Sequence, residues 1–408
     1  MGYELLPEGS ITSPAGYTVA AVAGGLKQSG GLDLAVLYSA ADCTAGGVFT
    51  RNQVVAAPVI LDRQVLAAGR DQIRGIVANA GNANACTGEA GLVAARQSQE
   101  EAAGLLGCRA EQLLVLSTGV IGVPLPMAKI SAGLQAAAKQ LDPSQGIRLA
   151  KAIMTTDTRP KHLAVKVTLP QGVVTIGGVA KGSGMIHPNM ATMLGIVTTD
   201  AVVPAVLLQE LLSASVERTF NRISVDGDTS TNDTVLLLAN GASSVPLDDT
   251  GAMAQFAEAL EFVCGELAKM IVRDGEGASK FVEIHVTGAM DARAAHAIAE
   301  TVSTSPLVKT ALAGGDPNWG RVLAAAGRAG VELDQARLSL DIANPGQQRL
   351  QLVKDGSPTT YPEAVATAIF ARPEILIYLD LGQGPAEDTM WTTDLTHDYV
   401  TINADYRT

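Results

Sequence analysis

Short β-branched runs alternate with amphipathic helical stretches along most of this chain, and that alternation restricts it to layered α/β architectures. Strand candidates fall at residues 73–78, 162–169, 173–179, 194–198, 235–238, 282–286 and 375–379, most of them bounded by Gly, Pro or Asn. Stretches 92–106, 204–219 and 252–271 read as helices with one wet face. With 408 residues the chain is too long for one small core and predicts two or three domains. Residues 285–385 carry their own alternation (283–286, 293–304, 331–333, 338–341, 362–371, 374–380) and read as a second, smaller α/β unit after a core of residues 1–284. The tail, 386–408, is polar and either frays or wraps back onto the body.

Charge excludes some functions. The formal net charge is −12 and no basic run interrupts it, so no nucleic-acid or anionic-membrane partner is expected. A local pocket can still take small charged substrates against the global sign. Cys43, Cys86, Cys108 and Cys264 form no CxxC pair and no metal-finger spacing, so they read as buried free thiols, with no metal. The N-terminus lacks a signal-peptide pattern and a myristoylation pattern, and no apolar run reaches membrane-spanning length. A cytoplasmic enzyme is the expectation.

The glycine-rich stretch 177–201, GGVAKGSGMIHPNMATMLGIVTTDA, lies between two strand candidates. It is not a phosphate loop, because Lys181 precedes Gly182 where the P-loop order needs Gly before Lys. It is not a dinucleotide loop either, since the third glycine is absent and a strand follows. An ordinary turn and a strained loop presenting a nucleophile both remain open on the residues alone.

GVAKGSGMIHPNMATML resembles the self-processing site of the ornithine acetyltransferases, the ArgJ family. The resemblance extends over nearly the whole chain: DCTAGGVFTRN (42–52), NAGNANACTG (79–88), STGVIG (117–122), MTTDTRPK (154–161), SVDGDTSTNDT (224–234), RDGEGASKF (273–281), GGDPNWGR (314–321) and NADYRT (403–408). Ser279 departs from an expected Thr, a conservative change. The resemblance implies a layered α-β-β-α core of ArgJ/DmpA type with the smaller α/β domain beside it. It implies that the chain cuts itself between Ala191 and Thr192, giving fragments 1–191 and 192–408 that stay in one body, two copies of each in the assembly.

The chemistry follows from that cut. Thr192 becomes an N-terminal residue whose free α-amine, with an ordinary pKa of about 7.7–8.0, can take the proton of its own hydroxyl. His187 reads as a structural or processing residue. By resemblance, Thr118 and Gly119 form the oxyanion hole, Thr155 (with Thr156 a near rival), Lys181, Glu276, Asn403 and Thr408 bind substrate, and Thr192 takes part in both roles. The implied reaction moves acetyl from N-acetyl-L-ornithine to L-glutamate through an acetyl-Thr192 intermediate. No cofactor is implied, and acetyl-CoA as a further donor is left open. The rival readings are a self-processing aminopeptidase or amidase of related fold, which would pass the acyl group to water, and a noncatalytic small-molecule binder whose junction stays intact.

Overall fold

A computed structural model of the chain describes residues 2–187 and 193–405. Strand Leu34–Phe49 organises the larger body. Its first half pairs with Tyr17–Val22 and Ile73–Asn82, and its second half pairs with Thr234–Ala239. A register shift between Tyr38 and Cys43 marks where one strand passes between the two halves. The first half-sheet ends with Leu113–Val120, parallel to Ile73–Asn82. The second half-sheet runs from Thr234–Ala239 through Leu194–Thr199 and Gly172–Lys181 to Lys161–Leu169.

The halves lie face to face. Val19, Ala35, Leu37, Ile76 and Ala78 from one meet Val179, Ile196 and Leu236 from the other in a single buried cluster. On the outer face of the first half, Leu34, Val36, Val77 and Leu113 pack with residues of helices Gly88–Leu106 and Met127–Ala137. On the outer face of the second, Val165, Val167, Ile176 and Leu237 pack with Ala205–Arg218 and Thr250–Arg273. That is the α-β-β-α stack. The period-two pattern explains why the strands were legible: Val165 and Val167 point inward while Lys166 and Thr168 are exposed. Asp249 explains where the longest helix starts, since its carboxylate accepts the Ala252 N–H.

A second sheet holds Phe281–Ala289 between Glu374–Asp380 and Ala386–Thr393, with Ser339–Ala343 and Leu350–Lys354 beyond. Its core gathers Val282, Ile284, Val302, Leu340, Ile377 and Phe370. Three expectations need correction. Residues 331–333 are not a strand but an irregular link, because the three-residue run pairs with no strand among the described residues. The polar tail does not begin at 386, because Ala386–Thr393 alternates buried Met390 with polar neighbours and completes the second sheet. Only Cys43 and Cys264 are buried, while Cys86 is exposed and Cys108 half-buried. The two-residue strand Ile223–Ser224 pairs with Trp391 and Thr392, so the second sheet is tied to the segment that enters the 224–234 motif. Among the described residues no helix is long and apolar enough to cross a membrane.

Candidate active site

Gly119 sits at the end of Leu113–Val120, level with Gly81 on the neighbouring strand. Its φ is +133°, and a Cβ there would overlap the Gly81 carbonyl carbon and the Asn82 nitrogen. Both facts demand glycine. The strand end therefore approaches its neighbour more closely than any side chain permits, and the Thr118–Gly119 backbone turns toward a cavity of about 330 Å³. Gly119→Ala is expected to cost roughly 1–3 kcal/mol in stability, from backbone strain alone. If this N–H serves as an oxyanion donor, kcat should also fall about 100-fold. Thermal melts and steady-state kinetics check both, and an alanine variant of unchanged Tm would sink the packing argument.

The same cavity is lined by Thr118, Thr155, Thr156, Lys181, Glu276 and Asn403. These come from far apart in the chain. Lys181 ends strand Gly172–Lys181, is 3% exposed, and points its Nζ to Thr118 Oγ1 at 3.3 Å. Burial pulls its ammonium below the ordinary lysine range, Lys161 adds to that, and Asp157, Glu276 and Asp233 draw it back up. Glu276 follows the helix Thr250–Arg273 and packs against Gly184, where a Cβ would strike its carboxylate. The helix His397–Asp405 brings the tail back: Asn403 Nδ2 donates to Glu276 Oε2 at 2.8 Å, and one turn earlier Tyr399 donates to Asp226 Oδ2 at 3.3 Å. Burial, then the Asp226 charge and hydrogen bond, hold the Tyr399 phenol protonated. Ala191, Thr192 and Thr408 lie outside the described residues.

Beneath the cavity lies a buried charge cluster that sequence reading did not pick out. Lys161, 1% exposed, reaches Asp157 at 2.7 Å and Asp274 at 2.6 Å. Asp157 accepts the Thr155 and Gly182 N–H groups at 3.0 and 2.7 Å. Asp274 accepts the Thr158 N–H at 3.0 Å, and its carbonyl accepts Ser183 Oγ–H at 2.6 Å. Burial opposes ionisation of Asp157, yet Lys181 and Lys161 win and hold its carboxyl at about 2. Asp226 performs a similar task on the glycine-rich stretch, accepting the Met185 and Ile186 N–H groups at 2.6 and 2.9 Å. Met185 has a φ of +58°, a left-handed conformation unusual for a residue with a side chain. His187 Nε2 lies 3.4 Å from Glu300 Oε1, which fastens the same stretch to helix Ala292–Ser303 of the second body.

Asp226, Asp228, Thr229, Ser230, Thr231 and Asn232 form one wall of the cavity. All belong to the 224–234 motif, so their presence was visible in the sequence. Which of them faces inward depends on the turn at Gly227, φ +83°, and on hydrogen bonds from Asn232 Nδ2 to the Ala83 and Ser117 carbonyls.

The arrangement is a polar pocket with one buried ammonium, buried carboxylates and a strand end that offers donors. It suits acyl transfer between small zwitterionic molecules, in which a developing oxyanion and fixed charges of both signs must be met together.

Comparison with known proteins shows the family. Over 404 residues the chain is 48% identical to the arginine biosynthesis bifunctional protein ArgJ of Symbiobacterium thermophilum, covering 98% of this chain and 99% of the relative. It is 46% identical over 397 residues to the protein of the same name from Thermotoga neapolitana, covering 97% and 99%. Among solved structures it resembles an ornithine acetyltransferase complexed with ornithine from Mycobacterium tuberculosis, at 40% identity and a TM-score of 0.43, covering 46% of this chain and 98% of that one. The ArgJ family model matches residues 18–408, and the chain belongs to the ArgJ family.

Proposed function

We propose that this chain is the acetyltransferase of arginine biosynthesis that moves acetyl from N-acetyl-L-ornithine to L-glutamate. The observation that supports this most is the gathering of Thr118, Gly119, Thr155, Lys181, Glu276 and Asn403 around one cavity. The strand end of Thr118 and Gly119 would stabilise the oxyanion that forms when Thr192 Oγ attacks the acetyl carbonyl. Lys181 would meet a substrate carboxylate, and Glu276 with Asn403 a substrate ammonium or amide. Thr155, held by Asp157, would supply a further hydroxyl. Ornithine leaves with the proton that the Thr192 α-amine took from the hydroxyl. Glutamate then enters the same pocket and collects the acetyl group, which divides one difficult transfer into two.

That chemistry requires a free α-amine on Thr192, hence self-cleavage after Ala191, with fragments 1–191 and 192–408 associated two and two. The relatives are named bifunctional, which supports acetyl-CoA as a second donor for glutamate. Incubation with N-acetylornithine and labelled glutamate should yield labelled N-acetylglutamate and an equal amount of ornithine. Release of free acetate in place of N-acetylglutamate would identify a hydrolase instead. Label passing from acetyl-CoA into N-acetylglutamate tests the second donor, and none passing removes it.

A further inference from the structure

Met193, which follows Thr192, is held through its backbone by Asp233 and Thr234. Its N–H donates to Asp233 Oδ1 at 2.9 Å, and its carbonyl accepts the Thr234 N–H at 3.1 Å. Asp233 is 1% exposed, and its second oxygen, Oδ2, is buried with no hydrogen-bond partner among the described residues. A buried oxygen with no partner among the described residues is costly and calls for a reason. Burial drives the Asp233 carboxyl well above the usual carboxylate range, against the opposing pull of the Met193 N–H, the Lys181 ammonium, the Ser230 N–H and the Thr50 hydroxyl. Burial thus favours the protonated form of the Asp233 carboxyl. Covalent bonding places the Thr192 nitrogen three bonds from the nitrogen that Asp233 already binds.

Resting on the reading of Thr192 as the self-processing residue, we propose that Asp233 donates the proton that releases the Thr192 nitrogen during the cut and then serves as counter-charge to the new α-amine. The step balances. Thr192 Oγ bonds to the Ala191 carbonyl carbon, and the Ala191–Thr192 C–N bond breaks. The leaving nitrogen keeps its own hydrogen, gains the hydroxyl proton and gains the Asp233 proton, ending as an ammonium beside a carboxylate. Water then splits the ester, giving its OH to Ala191 and its hydrogen to Thr192 Oγ. In this reading the new α-ammonium is a partner for Asp233 Oδ2. Lys181 is the charged neighbour of Asp233, from strand Gly172–Lys181, and is itself countered by Asp157 and Glu276. From the end of strand Leu34–Phe49 the facing group is the Thr50 hydroxyl, and from the 230–232 loop it is the Ser230 N–H.

Asp233→Asn keeps an acceptor for Met193 and removes the acid. Followed by intact mass in freshly made protein, its cleavage should be about 100-fold slower than that of wild type. Once cut, its acid limb of kcat/KM should shift to lower pH, because the α-ammonium has lost its counter-charge. Infrared difference spectra should show a neutral-carboxyl band in uncut Thr192→Ala that is missing from cut wild type, and missing too from uncut Thr192→Ala/Asp233→Asn. Asp62, also buried and with its carboxyl pushed up by burial, is common to the whole set. Cleavage at the wild-type rate, an unmoved acid limb, or a band unchanged by cutting would each overturn the role of Asp233. Should Asp233→Asn fail to fold, the comparison of Thr192→Ala with wild type decides alone. A wild-type chain that never cuts would instead overturn the reading of Thr192.

Discussion

Thr192→Ala leaves a single chain of 408 residues and lowers acetyl transfer by on the order of 10⁴-fold or more. Two losses coincide in that variant. Alanine has no hydroxyl to attack the Ala191 carbonyl, so the α-amine that would act as base never forms, and no nucleophile is present to carry acetyl. Neither loss would be repaired by the surrounding pocket, whose groups, in the proposed mechanism, bind and polarise but do not bond to the acyl carbon. Thr192→Ser separates the steps: it keeps the hydroxyl and, after cutting, the amine, and should cleave and retain measurable transfer. Intact mass under denaturing conditions reads the cut, and the labelled-glutamate assay reads the transfer. An alanine variant that still transfers acetyl would remove Thr192 from the mechanism, whatever its cleavage state.

The elements of this fold were legible wherever one periodicity dominated. Lys161–Leu169 alternates buried and exposed residues, and Thr250–Arg273 shows a helical stripe behind an Asp cap. Leu34–Phe49 was not legible, because its two halves belong to different faces and its middle, residues 39–42, carries a register break with no apolar pattern. Ala386–Thr393 was hidden by polar residues that only a neighbouring strand makes sense of. At the site, motif resemblance pointed to Thr118, Gly119, Lys181, Glu276 and Asn403, yet residues alone left each of them indistinguishable from surface or turn. What no local reading could find is the carboxylate scaffold. Asp157, Asp226, Asp233 and Asp274 are spread over more than a hundred residues, and only the strand pairing brings them under one cavity. A solitary Asp in a sequence is normally solvated, and its burial here becomes apparent only with its partners.

Lys161→Met should be among the most damaging substitutions that touch no substrate. The ammonium is shared by Asp157 and Asp274, whose side chains are 0% and 6% exposed. Methionine matches the lysine stem in volume, so the loss is electrostatic, not a cavity. Removing one partner of a buried ion pair typically destabilises by about 3–5 kcal/mol, because the charges left behind have neither water nor a counter-ion. The consequence reaches the pocket through backbone contacts. Asp157 holds the Thr155 and Gly182 N–H groups, and Asp274 holds Thr158, so both walls that carry Thr155 and Lys181 depend on carboxylates staying ionised. The pH dependence has a definite sign. Asp157 is depressed in the folded protein, so its contribution is complete above the ordinary aspartate range and is lost as pH falls toward about 2. Without Lys161, burial weighs more heavily on that carboxyl, and acid unfolding should begin at higher pH in the variant. Tm, the midpoint of acid unfolding and KM should therefore move together, with KM rising more than kcat falls. A variant of unchanged Tm and unchanged KM would show that Lys181 alone satisfies Asp157 and that the cluster does not hold the site.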